Sequence, residues 1–288
     1  MIDAVIGGVA TGSLYAMLAV GFVMVYAATG VANFAQGSLA MVAAFTTFTA
    51  ATSWGWPVAL AAICGVGSSV IISYVVYVFG LRFVQVSDHL YKGIATLAID
   101  IILINAARVL WGPSSYQFDT VVRGANISLG GLTLPVSYAI TFLAALASAL
   151  LLHIFLSYTR TGIAVRAVTQ NPDAALLMGV RLPVVSSISW ALCGLMAGIA
   201  GLLLAPVTYL SYNMMNPYLV RMFAAAALGG LTSVWGAIAG GVLLGALEGV
   251  IGRFLPATLI DVVSVLVLLA VLVFRPQGLF GTARVRRV

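Results

Sequence analysis

The sequence predicts an all-α integral membrane protein: a polytopic helical bundle of about eight to nine transmembrane segments with a short helical element on its cytoplasmic side. Three observations predict it. Apolar residues make up 62% of the chain and charged residues only 7%, against roughly 45–50% and about 25% in soluble domains. The apolar residues fall into runs near the length of about 20 that a helix needs to cross hydrocarbon. Between those runs no polar block is long enough for a soluble domain, so 1–288 reads as a single membrane domain.

Candidate spans run over 4–27, 31–52, 57–81, 93–112, 135–157, 183–208, 218–234, 236–254 and 257–274. The second and seventh contain glycine and polar residues, which suits a broken or re-entrant helix as well as a full crossing. MIDAVIGG has no basic stretch ahead of its apolar run, so the first segment reads as a span and not a cleaved signal. The net charge of +6 comes from basic residues scattered between apolar runs. It points to topology and not to nucleic acid. With nine crossings, one side holds Arg82, Lys92, Arg160, Arg166, Arg181, Arg275, Arg284, Arg286 and Arg287, and the other holds Arg108, Arg123, Arg221 and Arg253. The richer side is cytoplasmic by the positive-inside rule, which puts the C-terminus inside and the N-terminus outside.

The outer connection 113–134 alternates apolar and polar residues around Gly124-Ala125-Asn126, as a small β-hairpin would. Glycines recur at intervals of four: Gly8 and Gly12, Gly194 and Gly198, Gly236 and Gly240, then Gly241, Gly245 and Gly249. Such residues share a helix face and let two backbones approach, which is how helices associate in lipid.

The segment 159–182, TRTGIAVRAVTQNPDAALLMGVRL, is too long for a plain loop and carries the signals of two short helices. The first runs over about Thr161–Thr169, with Arg166 and Ala167 inside it. Asn171 is a good N-cap, Pro172 suits the first helical position, Asp173 suits the positive end, and Gly179 suits the stop. The body between, Ala174, Ala175, Leu176, Leu177 and Met178, is apolar yet lies outside any span. It either rests on lipid or docks into a soluble partner.

Polar groups inside spans are functional candidates by default. Thr96 and Asp100 are four apart on one face of the fourth span, with Asn105 beyond. Asn33, Gln36 and Ser38 interrupt an apolar run beside Gly30 and Gly37; they suit an unwound transport site and equally suit helix-packing glue. Glu248, Asp261, Arg221 and Arg253 lie near outer span ends, where pairing or snorkelling is expected. Met214, Met215, Tyr209, Tyr212 and Tyr218 suit an aromatic belt or a receiving surface on the outside. Cys64 and Cys193 sit in apolar runs as packing residues. No catalytic or metal-ligating constellation is present: the two histidines are isolated, and there is no HExxH or GxSxG. A phosphate-cradling loop needs Gly-Lys-Ser/Thr, and the one lysine, Lys92, sits in Tyr-Lys-Gly.

The order T-x-T-G-x-A-x-R-A-x-x-Q-N-P-x-A-A-x-L-x-G-V resembles the coupling-helix region of branched-chain amino acid (Liv-type) ABC importer permeases. G-S-L-Y-A-M-L-A-V-G-F through N-F-A-Q-G-S-L, A-G-L-L-L-A-P at 200–206, the glycine-rich run at 228–249 and F-R-P-Q-G-L-F-G at 274–281 are similar to it in the same order. The short lead and N-F-A-Q-G look LivH-like, with Gln36 where the family commonly has His. The resemblance implies a permease that pairs with a second permease subunit, LivM-like or identical. Two cytoplasmic ATPase subunits would carry ATP and Mg; none is expected on this chain. A periplasmic binding protein would deliver branched-chain or other apolar amino acids, or a related urea, amide or aromatic acid, across the bacterial inner membrane. It also implies that the ATPases grip Arg160, Gly162, Arg166, Ala167 and Asn171 through Gly179. The pathway is expected to draw on Asn33, Gln36, Gly37, Ser38, Thr96, Asp100 and Asn105. A secondary transporter or channel is the alternative; the Asn-Pro pairs at 171 and 216 are followed by Asp173 and Tyr218, unlike a water channel.

Overall fold

The computed structural model describes residues 1–83, 89–118, 126–129, 132–275 and 277–280. Arg123, Arg284, Arg286 and Arg287 of the orientation argument lie outside these residues, as does the side chain of His89. The elements are α1 (Ile2–Thr29), α2 (Gln36–Thr52), α3 (Val58–Val75), α4 (His89–Trp111), β1 (Asn126–Leu129), β2 (Leu132–Pro135), α5 (Val136–Tyr158), α6 (Arg160–Gln170), α7 (Pro172–Leu177), α8 (Leu182–Leu204), α9 (Asn216–Gly229), α10 (Val234–Ile251) and α11 (Ala257–Phe274). A π-helical turn, Val76–Gly80, and a short 3-10 turn, Leu81–Phe83, extend α3. There Tyr77 stacks on Trp190 of α8 at 6.1 Å.

Among the described residues six helices are long and apolar enough to cross a membrane: α1, α3 with its extension, α4, α5, α8 and α10. Three of the nine anticipated spans are shorter. The 31–52 segment becomes helical only at Gln36, because Gly30 ends α1 in the left-handed region (φ 70°) and an irregular stretch follows. The 218–234 segment is a 14-residue helix, α9, which at 1.5 Å per residue reaches only about 21 Å of a core about 30 Å thick. The third is α11, of which Leu259–Phe274 forms a shorter apolar helix.

α1 is the central post, with an unbroken buried run over residues 12–25, while most of α4 is exposed or half-buried and lies at the edge. Helix α10 runs antiparallel to α1 along a seam of glycines. Gly8 lies against Gly245, Gly12 against Gly241, and Gly249 against Ala4. On α8, Gly194 and Gly198 meet Ser69 and Val66 of α3; Gly236 and Gly240 of α10 meet Gly229 and Ala225 of α9. In each case backbone approaches backbone, so interlocking side chains are not what joins these helices.

Helix α6 shares one face of the bundle with the C-terminal ends of α1 and α5, and α7 follows it beside the end of α3 and the start of α8. The chain after α11 returns to that face, where Leu279 and Phe280 N–H groups bond the carbonyls of Leu228 and Gly229. The hairpin lies at the other end. Its register opposes Leu129 to Leu132. The connection therefore comes after Leu129, later than the Gly124-Ala125-Asn126 stretch on which the alternation is centred. Tyr116 and Leu210 pair through both backbone groups and tie the two outer connections together.

Candidate functional site

The most exposed apolar feature on the α6 face is built by local rules. Thr159 Oγ1 caps α6 by accepting the Gly162 N–H at 3.0 Å. A side chain at Gly162 would strike the Phe155 carbonyl at 2.1 Å, so glycine lets α6 fold back on the end of α5. Asn171 Oδ1 caps α7 by accepting the Ala174 N–H at 3.0 Å, and Pro172 occupies the first turn. At the far end Gly179 adopts φ 83°. Its N–H bonds the Leu176 carbonyl and that of Val180 bonds the Ala175 carbonyl, the pair of bonds that closes a Schellman stop. Ala175 is buried, whereas Leu177 and Met178 are 88% and 85% exposed. The result is a rigid, capped knob with an apolar tip. Arg160 and Arg166 are exposed near its base, with Ala167 half-buried.

A second group of residues lies where α1 gives way to α2. Asn33 Oδ1 accepts the Ala35 N–H at 3.1 Å, holding the irregular stretch as an Asx turn. Asn33 Nδ2 reaches Gln36 Oε1 and Cys193 Sγ at 3.4 and 3.2 Å, Cys193 Sγ donates to Gln36 Oε1, and Gln36 Nε2 bonds the Cys193 carbonyl at 3.4 Å. Thr96 of α4 accepts the Phe34 N–H at 3.1 Å and lies 2.9 Å from the Ala32 carbonyl. Ser38 donates to Asp100. Asn33, Gln36 and Thr96 are wholly buried, Gly37 is packed under Leu219 and Met215, and Asp100 is half-buried. Asn105 stands apart: it is exposed, and its Nδ2 bonds the Ile101 carbonyl one turn back. Cys193 is more than the plain packing residue its apolar surroundings suggest, and no local signal in the sequence ties it to Asn33.

At the opposite end of the bundle, Arg221 of α9 bonds Glu248 Oε1 of α10 at 3.1 Å and Asp261 Oδ1 of α11 at 2.6 Å. Tyr15 of α1 donates to Glu248 Oε2 at 2.8 Å, and Ser264 donates to Oε1. Tyr15 and Tyr218 present their rings to the guanidinium. Four helices thus meet on one satisfied charge cluster, which Arg253 does not join. Removing Arg221 leaves the buried Glu248 carboxylate without its cation. Arg221→Met is expected to cost about 3–5 kcal/mol and Tyr15→Phe about 1 kcal/mol, read as loss of thermal stability of the purified protein. Equal stability of the two variants would refute the ordering.

Met214 and Met215 are buried in the core rather than displayed on the outer surface, because the 205–215 connection folds in beneath α9; Tyr209 is exposed.

The chain is matched along nearly all its length by known sequences. The family model described as "Branched-chain amino acid transport system / permease component" matches residues 4–272. The high-affinity branched-chain amino acid transport system permease protein LivH of Escherichia coli is 33% identical over 304 residues, covering 98% of this chain and 96% of its own. The permease protein BraD of Pseudomonas aeruginosa is 27% identical with the same coverage of both chains. A probable branched-chain amino acid transport permease protein LivH of Methanocaldococcus jannaschii is 30% identical over 96% of this chain and 91% of its own. The capped knob, the glycine seam and the polar break all fall inside the matched span, and the chain belongs to the family of branched-chain amino acid transport system permease components.

Proposed function

We propose that this chain, acting as one permease domain, forms half of the membrane pathway of an ATP-driven importer in the inner (plasma) membrane, with its C-terminus cytoplasmic. Its cargo is a branched-chain or other apolar amino acid, or a related small solute, delivered by a periplasmic binding protein. A second permease subunit, like or unlike, completes the pathway. Two ATPase subunits carry ATP and Mg and grip the 159–182 segment. The observation that carries this reading is the α7 knob. It is capped at both ends, so it transmits force without unravelling. Its apolar tip also suits helix-in-groove docking on a soluble protein. Purification of the tagged chain from its own cells tests it: an ATP-hydrolysing subunit is expected to come with it, and labelled leucine uptake is expected to need that subunit. A chain that transports alone would be a secondary transporter or channel.

In the pathway, Ser38 and Asp100 are the residues proposed to feel the cargo, because α4 packs chiefly on α2 and leaves its outer face for the second permease. Asn33, Gln36 and Thr96 instead hold the break that positions them. Gln36→Ala takes from the buried Cys193 thiol its acceptor and from Asn33 Nδ2 one of its two partners, at about 1–3 kcal/mol; slower uptake with an unchanged substrate range is expected. Asp100→Asn is expected to alter the range. Competition assays with a panel of amino acids separate the two, and a changed range in Gln36→Ala would place that residue in the pathway.

A further inference from the structure

Helices α5 and α10 both lean on α1 and barely meet each other, and between them runs a cleft. Its upper part, about 600 Å³, opens on the face that carries α6 and is lined by His153, Ser157, Arg166, Thr169, Gln170 and Ser233 among others. Its lower part, about 240 Å³, is apolar, with Met17, Phe142, Leu146, Leu150 and Val242 in its walls. Ala149, Trp235 and Ile238 line both, so the two parts are continuous. Phe142, Leu146 and Leu150 are exposed, and the trench therefore opens sideways, away from the bundle. Among the described residues, neither lining contains an aspartate or glutamate. Arg166 forms no ion pair among the described residues; its Nη2 touches only the Ser157 carbonyl, at 3.4 Å.

We infer that this cleft holds an anionic phospholipid of the cytoplasmic leaflet, its headgroup at Arg166 and one acyl chain in the trench between α5 and α10. The polar mouth lies at one end of the bundle, level with the last turns of α5, which is headgroup depth. A basic pocket between helices at that depth is complementary to an anionic headgroup. An apolar trench open to the side is complementary to a chain and not to a water-soluble anion. The site has a mechanical consequence. Arg166 sits on α6, which joins α5 to the α7 knob, so a headgroup held there steadies the element that bears the knob.

The test uses the chain purified with whatever partners it retains, in nanodiscs of phosphatidylcholine alone or with phosphatidylglycerol in equal parts, and counts bound lipids by native mass spectrometry. One phosphatidylglycerol per chain is expected, retained several-fold over phosphatidylcholine. Ala149→Phe and, at the exposed rim, Leu146→Trp are expected to reduce retention several-fold. Arg166→Gln is expected to retain lipid without preferring the anionic one. Equal retention of both lipids by the parent chain, or unchanged retention in both trench variants, overturns the inference. So does displacement by inorganic phosphate, which would make the ligand a free anion. Disulfide capture of Leu146→Cys by a cysteine introduced on the second permease subunit, with copper phenanthroline as oxidant, would show that protein fills the trench, and would overturn it equally. Absence of a co-purifying ATPase bears on the importer reading and leaves the lipid count readable.

Discussion

Gly245→Leu is expected to leave little assembled protein in the membrane. A β-carbon at Gly245 would stand 2.3 Å from the Gly12 Cα and 2.3 Å from the Gly8 carbonyl oxygen. These are backbone atoms on α1, so no flexible side chain can give way. The remedy would be to move α10 off the central post, which opens the packing of α1 against everything else. Overpacking of an ordinary core costs about 1–3 kcal/mol. Here a rigid seam is forced apart, so about 3 kcal/mol, or a factor of about a hundred in the folded fraction, is a lower bound. Immunoblots of membranes and uptake assays are both expected to show the loss, with Gly245→Ala intermediate. Gly67, where an added β-carbon would meet nothing within 4 Å, is the control: Gly67→Leu should accumulate normally. Parental levels of Gly245→Leu would show that this seam does not hold α1 to α10.

The second large effect is expected at the knob and of a different kind. Leu177→Asp changes a side chain that is 88% exposed and therefore contributes little to the fold of this chain. The chain should reach the membrane at parental levels. If Leu177 is an anchor in a partner's groove, burying a carboxylate there removes a hot-spot contact, at least about 2 kcal/mol or roughly thirtyfold in affinity. Loss of the ATPase on purification and near-complete loss of uptake are therefore expected together. Asn171→Ala weakens the cap by about 1 kcal/mol and should give a partial version of both defects. Leu177→Asp that keeps its ATPase and its uptake would remove α7 from the coupling role.

The two predictions differ in how far the sequence alone can supply them. The knob is readable almost residue for residue, since Asn171, Pro172 and Gly179 act on backbone within a few positions of themselves. The expected helix Thr161–Thr169 is observed as Arg160–Gln170, an offset of one residue at each end. The glycine intervals are equally plain, but they name only a face. That Gly245 meets Gly8 and Gly12 while Gly194 meets Ser69 is a matter of which helices become neighbours. Polar residues stand out in the sequence for their cost in lipid, and five of them, Asn33, Gln36, Ser38, Thr96 and Asp100, do gather around the break after α1. Asn105, notable on the same ground, turns outward.

The amino acids in order were enough to establish the solvent, the succession of apolar segments, and the Asn171 cap and Gly179 stop of the knob. All of these follow from composition or from interactions within about one helical turn. Only the folded bundle decided that Asn33 meets Cys193, 160 positions away, and that Tyr15 meets Glu248, 233 positions away. The reason lies in the solvent. A soluble helix declares its inner face by an apolar stripe, but in a membrane lipid and protein interior are alike apolar. A helix that is greasy all round therefore carries no mark of its rotation, and its partners are set by close packing and hydrogen bonds that exist only once the helices have come together.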